Sequence, residues 1–138
     1  MSEGDAGNLA VIALLCDLPQ STLTRAANNC RCRTYSANEQ IIDRQSEATD
    51  VFFVGEGRAR VVNYSISGRE ITLDDIEAGG HFGELAAIDG QPRSASVMAL
   101  TRCSVAIMSQ EHFLQLVDEN PSVALKVMRG LASIIRNS

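Results

Sequence analysis

The sequence predicts a mainly β fold with flanking helices: an antiparallel, jelly-roll-like β-roll with one short helix inserted between strands and helices at its C-terminus. Three observations carry that expectation. Residues 30–108 hold about eight short β-rich runs divided by turns, without the helix between successive strands that a parallel α/β sheet needs. One stretch in that region, "FGELAAIDG", interrupts the strands with a short apolar run able to form a helix. After residue 108 the apolar period lengthens to that of amphipathic helices.

Taken in order, Leu9 to Cys16 is apolar and helix-compatible, and Asp17, Leu18 and Pro19 break it. Ser21 can cap a second short helix running to Asn28 or Asn29, where paired asparagines suit a helix end. "CRCRTYSANEQIID" then alternates in side-chain character. "DVFFVGEGRARVVNYSI" holds two β-rich runs around Gly55 and Gly57, and Ser67-Gly68 separates it from "REITLDDI". "SASVMAL" and "CSVAIMS" form two further strands, parted by Thr101 and Arg102. Two helices follow: "SQEHFLQLVDEN" with Ser109 as its N-cap, and "PSVALKVMRGLASIIRN" with Pro121 in its first turn. The second sets Val123, Val127, Leu131, Ile134 and Ile135 near one face, with Lys126, Arg129 and Arg136 elsewhere. The expected organisation is a single domain over 1–138, with N-terminal helices in 1–29, the roll in 30–108 and C-terminal helices in 109–137.

Composition narrows the function classes. A chain of 138 residues can bury one sizeable core, and 45% hydrophobic with 21% charged residues is ordinary for a soluble domain. No apolar run approaches the ~20 residues that span a bilayer, and "LAVIALLC" lacks the basic lead-in and small-residue cleavage pattern of a secretory leader. A cytoplasmic protein without a membrane segment is expected. The net charge of -5 argues against a nucleic-acid surface spread over the domain, so no nucleic acid is expected to bind this domain alone. Lys126 is the single lysine among 12 basic residues, and arginine is the better partner for planar phosphate or carboxylate groups. Cys16, Cys30, Cys32 and Cys103 form neither a CxxC pair nor a zinc-like set, so they read as reduced, mostly buried thiols with no metal. Nor does a Ser/His/Asp, Cys/His or paired-carboxylate arrangement stand out, and no catalytic residue is expected.

The most informative stretch is "GGHFGELAAIDGQPRSASV", Gly79 to Val97. A short helix inserted into a roll offers unpaired N–H groups at its N-terminus, where the helix dipole also favours an anion. Gly83 lets backbone approach a ligand closely. Glu84, in the first turn, either complements the dipole or accepts hydrogen bonds from a pair of sugar hydroxyls. Arg93 follows a Gly90-Gln91-Pro92 turn; it is either a surface arginine at a strand start or folds back to meet a phosphate with two parallel hydrogen bonds. Spacing alone leaves both pairs of alternatives open.

The run "FGELAAIDGQPRSASV", residues 82–97, closely resembles the phosphate-binding cassette of the cyclic nucleotide-binding domain family, which includes catabolite-activator-type regulators, regulatory subunits of protein kinases and cyclic nucleotide-gated channels. That family's pattern is Phe-Gly-Glu, a short apolar helix, then Arg-Ser/Thr/Ala-Ala and a strand, matched here by Phe82, Gly83, Glu84, Leu85, Arg93, Ser94, Ala95 and Val97. The flanking "VFFVGEGRARV" and "SGREITLDDIEAGG" look like its central strands, so the resemblance covers nearly the whole chain. It implies that Glu84 accepts the ribose 2'-hydroxyl, that Arg93 pairs with the cyclic phosphate, and that N–H groups around Gly83, Leu85, Ala86 and Ser94 complete the cradle. The implied ligand is cAMP or cGMP, with no other cofactor. A hydroxyl at Ser94 can reach the 2-amino group of a syn guanine, yet the same residue type occurs in members that respond to cAMP, and cAMP is favoured.

Two departures from the family matter. Gly80-His81 stands where members often carry an acidic or polar residue, and His81 reads as a turn residue without a role. Many members also continue the last helix until it covers the base, and gene regulators add a helix-turn-helix domain that is not seen after this helix. The implied function is a cytoplasmic sensor module that relays cyclic nucleotide occupancy through its C-terminal helix to an effector domain in a longer chain or to a partner protein. A homodimer through that helix is also open to it. The alternative is an interaction or structural domain of the same fold with a non-functional pocket.

Overall fold

The computed structural model describes residues 9–43, 46–64, 67–91, 93 and 95–136. Expectations that touch residues 1–8, Pro92, Ser94 and Asn137 lie outside them. Among the described residues, eight strands form two four-stranded antiparallel sheets. The first has the order β1 (Cys30–Tyr35), β8 (Cys103–Met108), β3 (Val51–Glu56), β6 (His81–Phe82). The second has the order β2 (Gln40–Ile42), β7 (Ser96–Ala99), β4 (Arg58–Tyr64), β5 (Glu70–Glu77). Strands distant in sequence lie side by side, with Cys30 opposite Met108 and Ala59 opposite Ala99. The architecture is the antiparallel β-roll that the strand pattern predicts.

Alternation of side chains decides where the core sits. In β3 and β8, Val51, Phe53, Ala106 and Met108 join a cluster beneath the helices, while Phe52, Val54, Val105 and Ile107 join a second cluster between the sheets. Both strands are thus buried on two faces, which is why "VFFV" is a continuous apolar run rather than an alternating one. The helical cluster takes Leu9, Ile12 and Leu15 from the N-terminal segment, Leu23 from α1 (Gln20–Asn28), Phe113 from α3 (Gln110–Glu119) and Val123 from α4 (Pro121–Arg136). The inserted helix, α2 (Glu84–Asp89), contributes Ala87 to the same cluster.

Three helix expectations are corrected. Within Leu9–Cys16 only Leu9–Val11 is helical, as a 3-10 turn, because the Ala13 N–H donates at 2.9 Å to the Gly79 carbonyl instead of to a helical acceptor. Ser21 does not cap α1, which begins at Gln20 with Pro19 in the capping position and no side-chain cap. In α4, Val123 and Val127 are buried and Leu131 packs partly buried against the same cluster, but Ile134 and Ile135 are 59% and 73% exposed, so the expected apolar face packs only as far as Leu131. The Ser109 cap stands as expected, its Oγ accepting from the His112 N–H at 3.2 Å. No helix among the described residues is long and apolar enough to cross a membrane.

Candidate functional site

Phe82 ends β6 as a buried ring stacked on Phe52 of β3, with centroids 5.0 Å apart and planes 7° from parallel. That contact anchors the chain where α2 starts. Gly83 comes next at φ 89, in the left-handed region, and a Cβ there would lie 2.7 Å from the Asp50 carbonyl oxygen and 2.9 Å from Arg93 Nη1. Backbone conformation and space both demand glycine. Gly83 has no side chain with which to cap α2, so the helix start lacks the usual N-cap acceptor.

Arg93 is buried, at 8% exposure, and reaches back to this turn. Nη1 donates to the Gly83 carbonyl at 2.8 Å and Nη2 to the Asp50 carbonyl at 2.7 Å. The structure therefore excludes a solvated surface arginine. Its Nε is buried with no hydrogen-bond partner, and a guanidinium has five N–H donors, so the side chain keeps capacity for a further acceptor. Burial draws the guanidinium pKa down, against the opposing pull of the Asp50 and Glu84 carboxylates.

Glu84 begins α2 with a side chain 17% exposed, and its Oε2 lies 3.6 Å from Nε2 of His81. That is an ion-pair distance, effective when the imidazole is protonated, rather than a hydrogen bond. Burial opposes ionisation of Glu84, but His81, the residue's own backbone and Arg93 together outweigh it and hold the carboxyl below the usual glutamate value.

The remaining cassette residues divide. Ala86 is buried, and its carbonyl accepts from the Gly90 N–H at 2.9 Å, closing α2 on a left-handed glycine. Leu85 turns an exposed side chain outward, and Ala95 is half-buried just before β7. Ser94 lies outside the described residues. The structure thus brings Phe82, Gly83, Glu84 and Arg93 together and leaves the side chain of Leu85 in solvent.

Three contributors were given no role from sequence, His81 among them, which lies in β6 rather than in the expected turn. Asp50 acts through its main-chain carbonyl, for which side-chain chemistry gives no signal. Gln110 donates from Nε2 to the Ala87 carbonyl at 3.1 Å, fastening α3 to α2. His81 sits three residues before Glu84, a spacing that could have flagged it, although the strand-to-helix junction between them breaks helical period. Beside His81 runs an open groove of about 560 Å³, lined by Asp74, Asp75 and Glu77 of β5 and by Lys126 and Arg129 of α4.

The family model of the cyclic nucleotide-binding domain matches residues 32–120. The chain belongs to this family. Among curated relatives, the cAMP-activated global transcriptional regulator CRP of Haemophilus influenzae is 31% identical over 111 residues, covering 80% of this chain and 50% of that protein. The chain spans about half the length of the curated relatives it matches. Among solved structures, the regulatory domain of Toxoplasma gondii PKA with cAMP superimposes with a TM-score of 0.81 at 21% identity, covering 95% of this chain and 50% of that one. The regulatory subunit of a cAMP-independent protein kinase A from Trypanosoma brucei reaches 0.79 at 23% identity, covering 88% of this chain and 44% of that one. Both folds are shared at low identity, so the ligand must be argued from the site.

Proposed function

We propose that this cyclic nucleotide-binding domain is a non-catalytic sensor of a cyclic nucleotide monophosphate, preferring cAMP to cGMP, that passes occupancy through its last helix to an effector domain or partner protein. The observation that carries this reading is the buried guanidinium of Arg93, held over the Gly83 turn with an unpartnered Nε. A buried cation with spare donors beside uncapped helix amides suits a singly charged phosphodiester, which leaves water readily only where its oxygens find donors. Glu84, in the first turn of α2, supplies an ionised acceptor for the ribose 2'-hydroxyl. Leu85 and Ala86 offer their amides, and Ser94 its amide, to complete the cradle. The preference for cAMP is supported by the curated relatives described as cAMP-activated.

A relay is supported by two sets of contacts. The Gln110–Ala87 hydrogen bond joins α2 to α3, and Lys126 of α4 donates to the Ala13 carbonyl at 3.0 Å and pairs with Asp17 at 2.7 Å. Ala13 in turn bonds to Gly79, just before β6. Ligand can shift such a helix only through differential affinity for its two arrangements.

Titration calorimetry of this chain with cAMP, cGMP and 2'-deoxy-cAMP tests the reading. Saturable cAMP binding that weakens for the 2'-deoxy ligand is the expected result. No binding of either nucleotide by a folded chain would favour the other reading, a protein-interaction domain with a non-functional pocket. Hydrogen exchange should show protection gained in both α2 and α4 on adding cAMP; protection confined to α2 would remove α4 from the relay.

A further inference from the structure

We propose that His81 is a positioning residue for Glu84, and that its protonation raises the affinity of the site for a ligand carrying a free 2'-hydroxyl. The proposal rests on the cyclic nucleotide reading of the site and adds a residue and a proton to it. Nε2 of His81 lies 3.6 Å from Oε2 of Glu84, with side chains 24% and 17% exposed. Antiparallel pairing with Phe53 of β3 fixes the backbone from which the imidazole projects. The partnership is therefore built into the end of β6 rather than made by two mobile surface chains.

The consequence follows from the geometry of a carboxylate. Its two oxygens offer about four acceptor positions. An imidazolium beside Oε2 restrains the glutamate rotamer and leaves Oε1 free for a sugar hydroxyl. Glutamate loses substantial rotamer freedom when it is ordered, so restraint before binding removes part of that cost from the binding step. Only the protonated ring attracts the carboxylate by charge, so proton uptake and ligand binding favour each other.

Other charged groups share these surroundings. Asp74, Asp75 and Glu77 of β5 line the groove beside His81, and Lys126 and Arg129 of α4 line its other side. Asp75 is engaged by Arg60 through two hydrogen bonds of 2.7 and 3.0 Å, and Lys126 by Asp17. Arg93, bonded to the Gly83 carbonyl, adds its charge to the surroundings of Glu84. Among the described residues, Glu84 is the charged group at ion-pair distance from His81, which makes the pair the simplest source of a pH dependence.

The experiment compares wild type, His81→Leu, His81→Gln, Glu84→Gln and the double variant His81→Leu/Glu84→Gln, with cAMP and 2'-deoxy-cAMP as ligands at pH 6 and pH 8.5. Wild type should bind cAMP about threefold to tenfold more tightly at pH 6, the range open to a partly buried charge contact. Both His81 variants should lose that difference, and 2'-deoxy-cAMP should show little of it with any protein. His112→Gln should keep the wild-type profile, since the ring of the chain's other histidine contacts Ser109. A pH difference that survives in both His81 variants, or an equal loss for both ligands, would overturn the proposal. Urea denaturation of the same proteins without ligand gives a separate arm: at pH 6 the double replacement should cost less stability than the sum of the single ones. Strict additivity there would overturn the His81–Glu84 partnership whatever the ligand. Coupling without cAMP binding by wild type would instead overturn the cyclic nucleotide reading, and with it the ligand half of this proposal.

Discussion

Arg93 and Gly83 are joined by a 2.8 Å hydrogen bond from guanidinium Nη1 to the glycine carbonyl, and the same guanidinium holds Asp50 through Nη2. One side chain therefore binds together the start of α2 and the loop before β3. Its proposed role toward a phosphate is therefore coupled to its role in the fold. Arg93→Ala is expected to lower folding stability by about 2 kcal/mol, through the two carbonyls it leaves without donors, and to weaken cAMP binding by about 2 kcal/mol or more. Arg93→Lys should recover only part of each loss, because one ammonium cannot span both carbonyls in the planar fork. Urea denaturation and calorimetry on the two variants measure both quantities. Unchanged affinity in Arg93→Ala would remove Arg93 from the site.

Two glycines separate backbone strain from crowding. Gly83 and Gly90 both have positive φ, at 89 and 70, but a Cβ at Gly90 meets nothing within 4 Å. Gly90→Ala should cost about 1 kcal/mol for the left-handed conformation alone. Gly83→Ala adds the collision with the Asp50 carbonyl and Arg93, and should cost about 2–3 kcal/mol while displacing the guanidinium. Denaturation midpoints and chemical shifts near Arg93 would test this. Equal losses would show that the turn relaxes without cost.

The depressed pKa of Glu84 gives stability an acid limb. Because the folded value lies below the unfolded one, ionised Glu84 contributes fully above the unfolded glutamate range, near about pH 4.3, and that contribution fades as pH falls through the folded value. Stability of wild type should thus fall more steeply than that of Glu84→Gln between about pH 4.5 and pH 3. Urea midpoints at half-unit intervals would measure it. Parallel curves would mean that the carboxyl titrates alike in both states.

Thiol reactivity should follow burial. Desolvation, with a further contribution from Cys32, pushes the Cys30 thiol up to about 12, and burial also raises Cys103. Cys16 is exposed. With iodoacetamide at pH 8 and mass-spectrometric readout, Cys16 should be alkylated first, and Cys30 and Cys103 only on unfolding. Early modification of Cys30 in a folded sample would contradict the packing of β1.

Much of this molecule is legible from residue order because its signals are local. Glycine runs mark turns, β-rich runs mark strands, and Ser109 and Pro121 mark the starts of α3 and α4. The cassette is legible for the same reason, since Phe82, Gly83 and Glu84 are consecutive and Arg93 follows after one short helix. What escaped depends on distant backbone. Leu9 to Cys16 has helical propensity, but the bond from Ala13 to Gly79 gives its backbone another partner. The grip of Arg93 on Asp50 spans 43 residues and uses a carbonyl common to every residue type. In α4, periodicity marks an apolar face without saying what covers it, and Ile134 and Ile135 of that face stay exposed.

The pairing of β1 with β8 also governs the order in which the chain can assemble. β8 lies between β1 and β3, so the first sheet cannot close until Cys103–Met108 is available to both. During synthesis, β1 and the two-faced apolar strand β3 must wait for most of the roll to be made. Contacts of such long sequence separation carry a loop-closure cost before any stabilisation returns, and they place this domain among slow folders. The vulnerable interval is therefore the nascent chain, in which "VFFV" has lost neither of its apolar faces to water exclusion and is open to pairing with another copy.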